Sequence, residues 1–197
     1  MMDKCRACRK FGEKLFLKGE KCSSPKCALV KRNYLPGAHG DKRQPKKSEY
    51  GLQLQAKQKA KAEYGLRERQ FSLVYQKAAR SKGATGEEML KILESRLDNI
   101  IYRLGWAQSR QGARQLVNHG QIKVNGRLVD IASFQVKAKD VIEPGNAELI
   151  ERTAMEKATP PAWIKVKGLK AEIVNLPTRE EIDTPIEEQL VVEFYSR

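Results

Sequence analysis

All four cysteines of this 197-residue chain fall within its first 27 positions, at Cys5, Cys8, Cys22 and Cys27, in the spacing C-x2-C-x13-C-x4-C. A segment this short cannot build its own hydrophobic core, so it needs a staple. Two thiol pairs separated by KFGEKLFLKGEK, a stretch able to form a short ribbon, suit tetrahedral metal coordination. Arg6, Arg9, Lys10, Lys21 and Lys26 surround the pairs, and their positive charge favours the thiolates that act as ligands. Zn2+ is the expected ion. Four thiolates also suit a [4Fe-4S] cluster, and spacing does not separate the two. Disulfides are the competing reading. The opening MMDKCRACRK has no apolar stretch behind its charges, so no secretory signal points to an oxidising compartment. A closed four-thiolate site reads as structural rather than catalytic.

Charge is distributed as unevenly as cysteine. The formal net charge is +14, and residues 1–80 hold 21 Lys and Arg against 7 Asp and Glu, whereas residues 81–197 hold 17 of each. Residues 141–197 carry 7 basic and 11 acidic groups. Solubility needs only a modest net charge, and a one-sided excess raises self-repulsion, so the front of the chain points to a polyanionic partner. No run approaches the ~18 apolar residues of a membrane span, and no strongly amphipathic anchor helix is evident. Nucleic acid is therefore the expected partner, with no membrane and no small-molecule substrate.

Past Cys27, ALVKRNYLPGAHGDKRQPKKSEYG carries Pro36-Gly37, His39-Gly40 and Pro45, which argue against a long regular element. Lys31, Arg32, Lys42, Arg43, Lys46 and Lys47 make it a basic arm able to order against phosphates. Ser48 is placed to cap a basic helix that carries Lys57, Lys59 and Lys61 and ends at Gly65. A second helix is predicted over roughly 66–82, bearing Arg67 and Arg69, with Leu66, Leu73, Val74 and Ala78 inward. Thr85 and Glu88 match a capping box, and apolar residues from Met89 to Leu104 keep helical spacing, as one helix or two abutting ones. Arg96 and Arg103 lie in this run and, with Lys57, Lys59, Lys61, Arg67 and Arg69, are expected to contact RNA.

Ser109 then begins a short helix closed by Gly120, with Ala113, Leu116 and Val117 inward. Ile122 and Val124 read as a strand, Asn125-Gly126 is a strong two-residue hairpin signal, RLVDI is the return strand, and DVIE is a further strand. Arg110 and Arg114, four apart, share a helix face with exposed side chains expected, and Lys123 points away from the strand's apolar side. Arginine forks match phosphate oxygens, while Ser109, Gln111, Gln115, His119 and Asn125 add neutral polar groups suited to ribose or base edges. Beyond 150 the signals weaken to helix remnants, an acidic loop and a terminal strand, LVVEFYSR, expected to join the small sheet.

These residues carry a resemblance. RLDNIIYRLGWAQSRQGARQLVNHGQIKVNGRLVDIASFQVKAKDVIE resembles the RNA-binding module named after the fourth protein of the small ribosomal subunit. The cysteine-bearing front, KLFLKGEKC, PGAHG, SEYGLQLQAKQKAKAEYG, ERQF, TGEEML, LPTREEID and the terminal VEFYSR resemble that protein family over nearly the whole chain, in its cysteine-retaining bacterial form. The resemblance implies an α+β protein in which an N-terminal metal-stapled segment and a helical domain carry an inserted module of two helices packed on a small antiparallel sheet. The division expected is 1–47 for the thiol segment and basic arm, 48–93 for a helical RNA-binding region, 94–157 for the module, and 158–197 for a tail packing back on the core. It further implies a structural constituent of the small subunit. Such a protein binds a junction in the 5′ domain of 16S rRNA, nucleates assembly of the 30S body, and touches small-subunit proteins five and three. It contributes to translational accuracy with protein five, and lies near mRNA where it enters the subunit. Lys42, Arg43, Lys46 and Lys47 resemble the mRNA-facing region. The implied location is the ribosome of a cytoplasm, a plastid being the alternative.

Two rivals fare worse. An RNA-modifying enzyme can carry the same module, but His39 and His119 are the only histidines, neither sits in a triad-like pattern, and GxxxxGK is absent. Outside the module no catalytic domain of ordinary size remains. A zinc-finger DNA regulator would need a recognition helix beside the thiols, where this chain has a Gly/Pro-containing arm.

Overall fold

A computed structural model describes residues 3–42, 46–155 and 159–197. The elements run α1 (Lys4–Phe11), α2 (Glu20–Ser23), α3 (Ala28–Lys31), α4 (Glu49–Glu63), α5 (Glu68–Ala79), α6 (Thr85–Glu94), α7 (Leu97–Arg103), α8 (Arg110–Asn118), β1 (Ile122–Val124), β2 (Arg127–Leu128), β3 (Val141–Pro144), α9 (Ala147–Thr153), β4 (Ile164–Lys167), β5 (Lys170–Ile173) and α10 (Glu188–Tyr195). The chain forms two compact units, one of Met1–Phe71 with Pro185–Arg197, the other Ser72–Thr184.

In the first unit, Asp3 caps α1: its Oδ1 accepts from the amides of Cys5 at 2.8 Å and Arg6 at 3.2 Å. Ala7, Cys8 and Phe11 turn inward and, with Leu15, form a small core against which Leu17 and Ala62 pack. Ser48 caps α4 as its position predicts, accepting from Gly51 N at 3.2 Å. The tail departs from expectation. Residues 188–195 form helix α10 rather than a strand, and they pack on α4 rather than on the sheet. Val191 is fully buried, Phe194 meets the Tyr50 ring at 5.8 Å, and Gln53 Nε2 donates to Glu193 Oε2 at 3.0 Å. Val191, Phe194 and Tyr195 fall at helical spacing. The helical penalty of two valines, a few tenths of a kcal/mol each, is small beside burying that face.

In the second unit, the long apolar run divides into α6 and α7. The break falls at Ser95-Arg96 because the backbone there pairs elsewhere: Arg96 bridges Gln135, and Leu97 N donates to Phe134 O at 2.9 Å. Thr85 is not a cap. It lies inside α6, the cap position is Ala84, and no side chain caps it. On the part of α5 that belongs to this unit, Val74 and Ala78 are buried, while Leu73 faces outward. Ser109 does cap α8, accepting from Gly112 N at 3.2 Å, and Gly120 takes the left-handed φ of 66° beyond its end. Asn125 and Gly126 both have positive φ, 51° and 78°, the signature of the hairpin turn their sequence predicts.

The sheet is antiparallel throughout, in the order β2-β1-β3-β5-β4. The return strand is shorter than expected, only Arg127–Leu128. The β4–β5 hairpin was not anticipated; its signal is IKVK-Gly168-Leu169-KAEI, with Gly168 at a φ of 61°. The core joins Leu97, Ile100 and Ile101 of α7, Ala113, Leu116 and Val117 of α8, and Ile122, Ile142 and Ile173 of the sheet. Each fully buried Leu or Ile contributes roughly 1.5–3 kcal/mol. That core fixes α8 and the β1–β2 hairpin relative to α7. No helix among the described residues is long and apolar enough to cross a membrane.

Candidate nucleic-acid interface

Two buried acids organise the surface that α7 and α8 share. Asp98 holds two arginines. Arg96 donates through Nε to Oδ1 at 3.0 Å and through Nη2 to Oδ2 at 2.9 Å; Arg114 donates through Nε and Nη2 to Oδ2 at 2.9 and 2.6 Å. Glu94 accepts from Arg103 Nε at 2.9 Å, Arg103 Nη2 at 3.0 Å and Asn99 Nδ2 at 2.8 Å. Asn99 Oδ1 in turn accepts from Arg110 Nε at 2.8 Å, and the Arg110 guanidinium lies 4.7 Å from the centre of the Tyr102 ring. Three guanidinium groups thus meet two carboxylates directly, and Arg110 is tied to Glu94 through Asn99. Each arginine is oriented by one edge of its fork.

This corrects the expectation that Arg110 and Arg114 stand exposed. Both are half-buried, and both are tied into α7. Arg96 is buried, with its fork on Asp98, and Arg103 is half-buried against Glu94. Ser109 spends its hydroxyl oxygen on the α8 cap. Gln111 is half-buried, and Gln115 and His119 are exposed on α8 and its end. Lys123 is half-buried on β1 between inward Ile122 and Val124, as the strand alternation predicts. Asn125 is exposed, but its side chain is occupied: Nδ2 donates to Asp140 Oδ1, and Oδ1 accepts from Val141 N, both at 2.9 Å.

In the first unit several expected contacts are internal ion pairs. Lys57 is buried, with Nζ 2.7 Å from Glu68 Oε1 and 4.2 Å from the centre of the Phe194 ring. Lys61 reaches Glu68 Oε2 at 2.8 Å, and Lys59 reaches Glu13 at 2.6 Å. Burial would raise the Glu68 carboxyl, but the hydrogen bonds from Lys57 and Lys61 outweigh it and hold Glu68 at about 2. Arg67 and Arg69 are exposed, as are Lys31, Arg32, Lys42, Lys46 and Lys47, the last donating to Gln55 Oε1. Arg43 lies outside the described residues.

Cys8, Cys22 and Cys27 are buried and Cys5 is half-buried; all four are free thiols. Burial pushes the Cys8 thiol up, partly offset by a hydrogen bond from the Leu15 backbone, and the charges of Cys22, Cys5 and Cys27 push it further. The four thiols thus share one neighbourhood. Cys22 Sγ also accepts from Lys18 N at 3.3 Å. Among the described residues, no three His, Cys, Asp or Glu side chains form a group that could hold a metal ion as they stand.

Sequence reasoning missed Asp98, Glu94 and Asn99 as the orienting groups. Its available signal was a run of acids and amides, uncharacteristic of a core, inside an otherwise apolar stripe. It also missed Arg127, exposed on β2.

The fold and this arginine-rich helical face define an RNA-binding protein built around a small two-helix-and-sheet module. Residues 95–142 match the family described as S4 domain, and residues 2–94 match the family described as Ribosomal protein S4/S9 N-terminal domain. The small ribosomal subunit proteins uS4 of Dictyoglomus turgidum, Pelotomaculum thermopropionicum and Thermus thermophilus are 50%, 51% and 49% identical to the chain, each match covering 98% of this chain and 96% of the relative. The chain belongs to the uS4 family of ribosomal proteins, which are structural RNA-binding components of the small subunit rather than enzymes.

Proposed function

We propose that this protein binds 16S rRNA directly, at a junction in the 5′ domain, and nucleates assembly of the 30S body. The observation that carries the reading is the α7–α8 face, where Asp98, Glu94 and Asn99 orient four arginines on a module matched as an S4 domain. Folded RNA is read largely by shape and backbone, and a fan of pre-oriented guanidinium groups suits phosphate oxygens. Gln111, Gln115, His119, Lys123 and Asn125 lie on α8 and the elements that follow it, and the first unit carries its own exposed cations, Lys31, Arg32, Lys42, Lys46, Lys47, Arg67 and Arg69.

The finer partners belong to the same proposal: small-subunit protein five, with a contribution to translational accuracy, small-subunit protein three, and mRNA where it enters the subunit. Full-length relatedness to uS4 proteins supports them.

A zinc ion held by Cys5, Cys8, Cys22 and Cys27 completes it. The soft donor set, the burial of three thiols and their shared neighbourhood support this reading. Bound there, zinc would deprotonate the thiols and tie α1 to the Cys22 and Cys27 segments.

Binding of the full chain to a transcript of the 16S 5′ domain, against duplex DNA of equal charge, tests the reading. Selective binding to the transcript is expected; equal binding to both would sink it.

A further inference from the structure

The second unit holds a recess on the side of α8 turned away from the arginine fan. Arg110 and Arg114 lean on α7, whereas Gly112, Gln115 and His119, spaced three and four residues apart, face a space of about 470 Å³ shared with Gln121, Leu149 and Arg152. The recess is built into the fold, because α9 is pinned at both ends. Ahead of it Gly145 N donates to Gln121 O at 2.7 Å; at its end Thr153 Oγ1 donates to Trp106 O at 2.8 Å and Met155 N to Gly105 O at 2.7 Å. Buried Ala107 and Leu116, with half-buried Leu149, give the space an apolar floor. Gln115, His119 and Arg152 are exposed at the rim, and none of their side chains has a hydrogen-bond or ion-pair partner among the described residues. Arg152 is the one charged group in the wall among those residues. Packing does not explain Gly112. A β-carbon there would stand 3.5 Å from Ser109 Oγ and 3.6 Å from Ala107 Cβ, both ordinary contacts, and alanine is the better helix former. A bare backbone at this point suits a guest lying close against α8.

We propose that this recess seats one unstacked purine base of the bound RNA, a proposal resting on the reading that the chain binds RNA. It adds base recognition to a module whose arginines suit shape and phosphate. The volume lies in the range of a small-ligand site. A phosphate string is a poor match, since one cation over an apolar floor neutralises little of its charge. A base matches each part. Its flat faces bury against Ala107, Leu116 and Leu149, and an imidazole such as His119 stacks on unpaired bases. The Gln115 amide, a donor beside an acceptor, fits the N6–N7 edge of adenine, and the Arg152 fork fits O6 and N7 of guanine. Both pairings use N7, which a pyrimidine lacks. The seat therefore separates purine from pyrimidine.

The test titrates the full chain, 15N-labelled, with pentauridylates whose central base is A, G or U, and with AMP and GMP alone. Charge is equal across the three pentamers, so their differences report the base. Amide shifts at residues 107–121 and 147–153 are expected for A and G, with affinity at least about fivefold above U, the low end for one bidentate pair. Gln115→Leu loses the preference for A, Arg152→Met the preference for G, and Gly112→Leu, which fills the recess, loses both. K165Q/K167Q, which neutralises two exposed lysines of β4, keeps both. An unchanged amide spectrum away from the recess reports an intact fold. Equal affinity for the three pentamers, or a purine preference that survives Gly112→Leu, overturns the proposal. AMP or GMP binding more tightly than the pentamers makes the recess a free-nucleotide site and overturns it too. A chain that ignores the 16S transcript yet keeps the purine preference overturns the ribosomal reading and leaves the base seat standing.

Discussion

Arg114 and Asp98, sixteen residues apart in sequence, are joined by two hydrogen bonds of 2.9 and 2.6 Å. The same carboxylate holds Arg96, so one buried acid fixes the break between α6 and α7 and the outward face of α8 together. A guanidinium held this way loses less freedom when it meets a phosphate, because much of its ordering accompanies folding.

Replacing Asp98 with Asn leaves the buried Arg96 without its counter-charge and weakens the hold on Arg114. Removing one partner of a buried ion pair costs about 3–5 kcal/mol. Urea unfolding of Asp98→Asn should show a loss of that size, together with weaker binding to the 16S transcript. A loss under ~1 kcal/mol would mean that the carboxylate does not hold this corner.

Lys123 and Arg127 belong to the β1–β2 hairpin and have no ion-pair partner among the described residues. K123Q/R127Q should leave the urea midpoint nearly unchanged, since surface substitutions usually stay within about 0.5 kcal/mol. Its salt slope for the 16S transcript should fall by about 1.4–1.8 if each residue contacts one phosphate. An unaltered slope would remove the hairpin from the interface.

Glu68 gives the first unit a pH dependence of defined sign. Its carboxyl sits at about 2 in the fold against an ordinary 4.5. The folded state binds this proton less readily than the unfolded state. The stability it contributes is therefore complete above about 4.5 and is lost as pH falls through about 2. The carboxylate is half exposed, so the effect is screened. Urea midpoints of the parent chain should fall more steeply than those of Glu68→Gln between these limits; parallel curves would contradict the pairing with Lys57 and Lys61.

Elemental analysis of the native protein should find about one zinc per chain, lowered in Cys5→Ser. Chelation should release it and increase protease cutting within residues 3–32. A native protein with neither zinc nor iron would end the metal proposal, while leaving the α7–α8 interface untouched.

Local features follow from a few neighbouring residues. Ser48 and Ser109 cap because a hydroxyl reaches an amide three residues on, and Asn125-Gly126 turns because both tolerate positive φ. The stripe Ala113, Leu116 and Val117 faces inward because helical spacing leaves it one choice. The family, too, is legible in motifs spread along the whole chain.

Tertiary structure decided the rest. Residues 190–195 alternate well enough for a strand and space well enough for a helix; only the α4 surface waiting for Val191 and Phe194 selects the helix. Arg110 and Arg114 read as free cations until Asn99 and Asp98, on another helix, are brought beneath them. Local geometry is set by forces acting over a few bonds. Burial and charge pairing depend on partners that only the folded chain brings together.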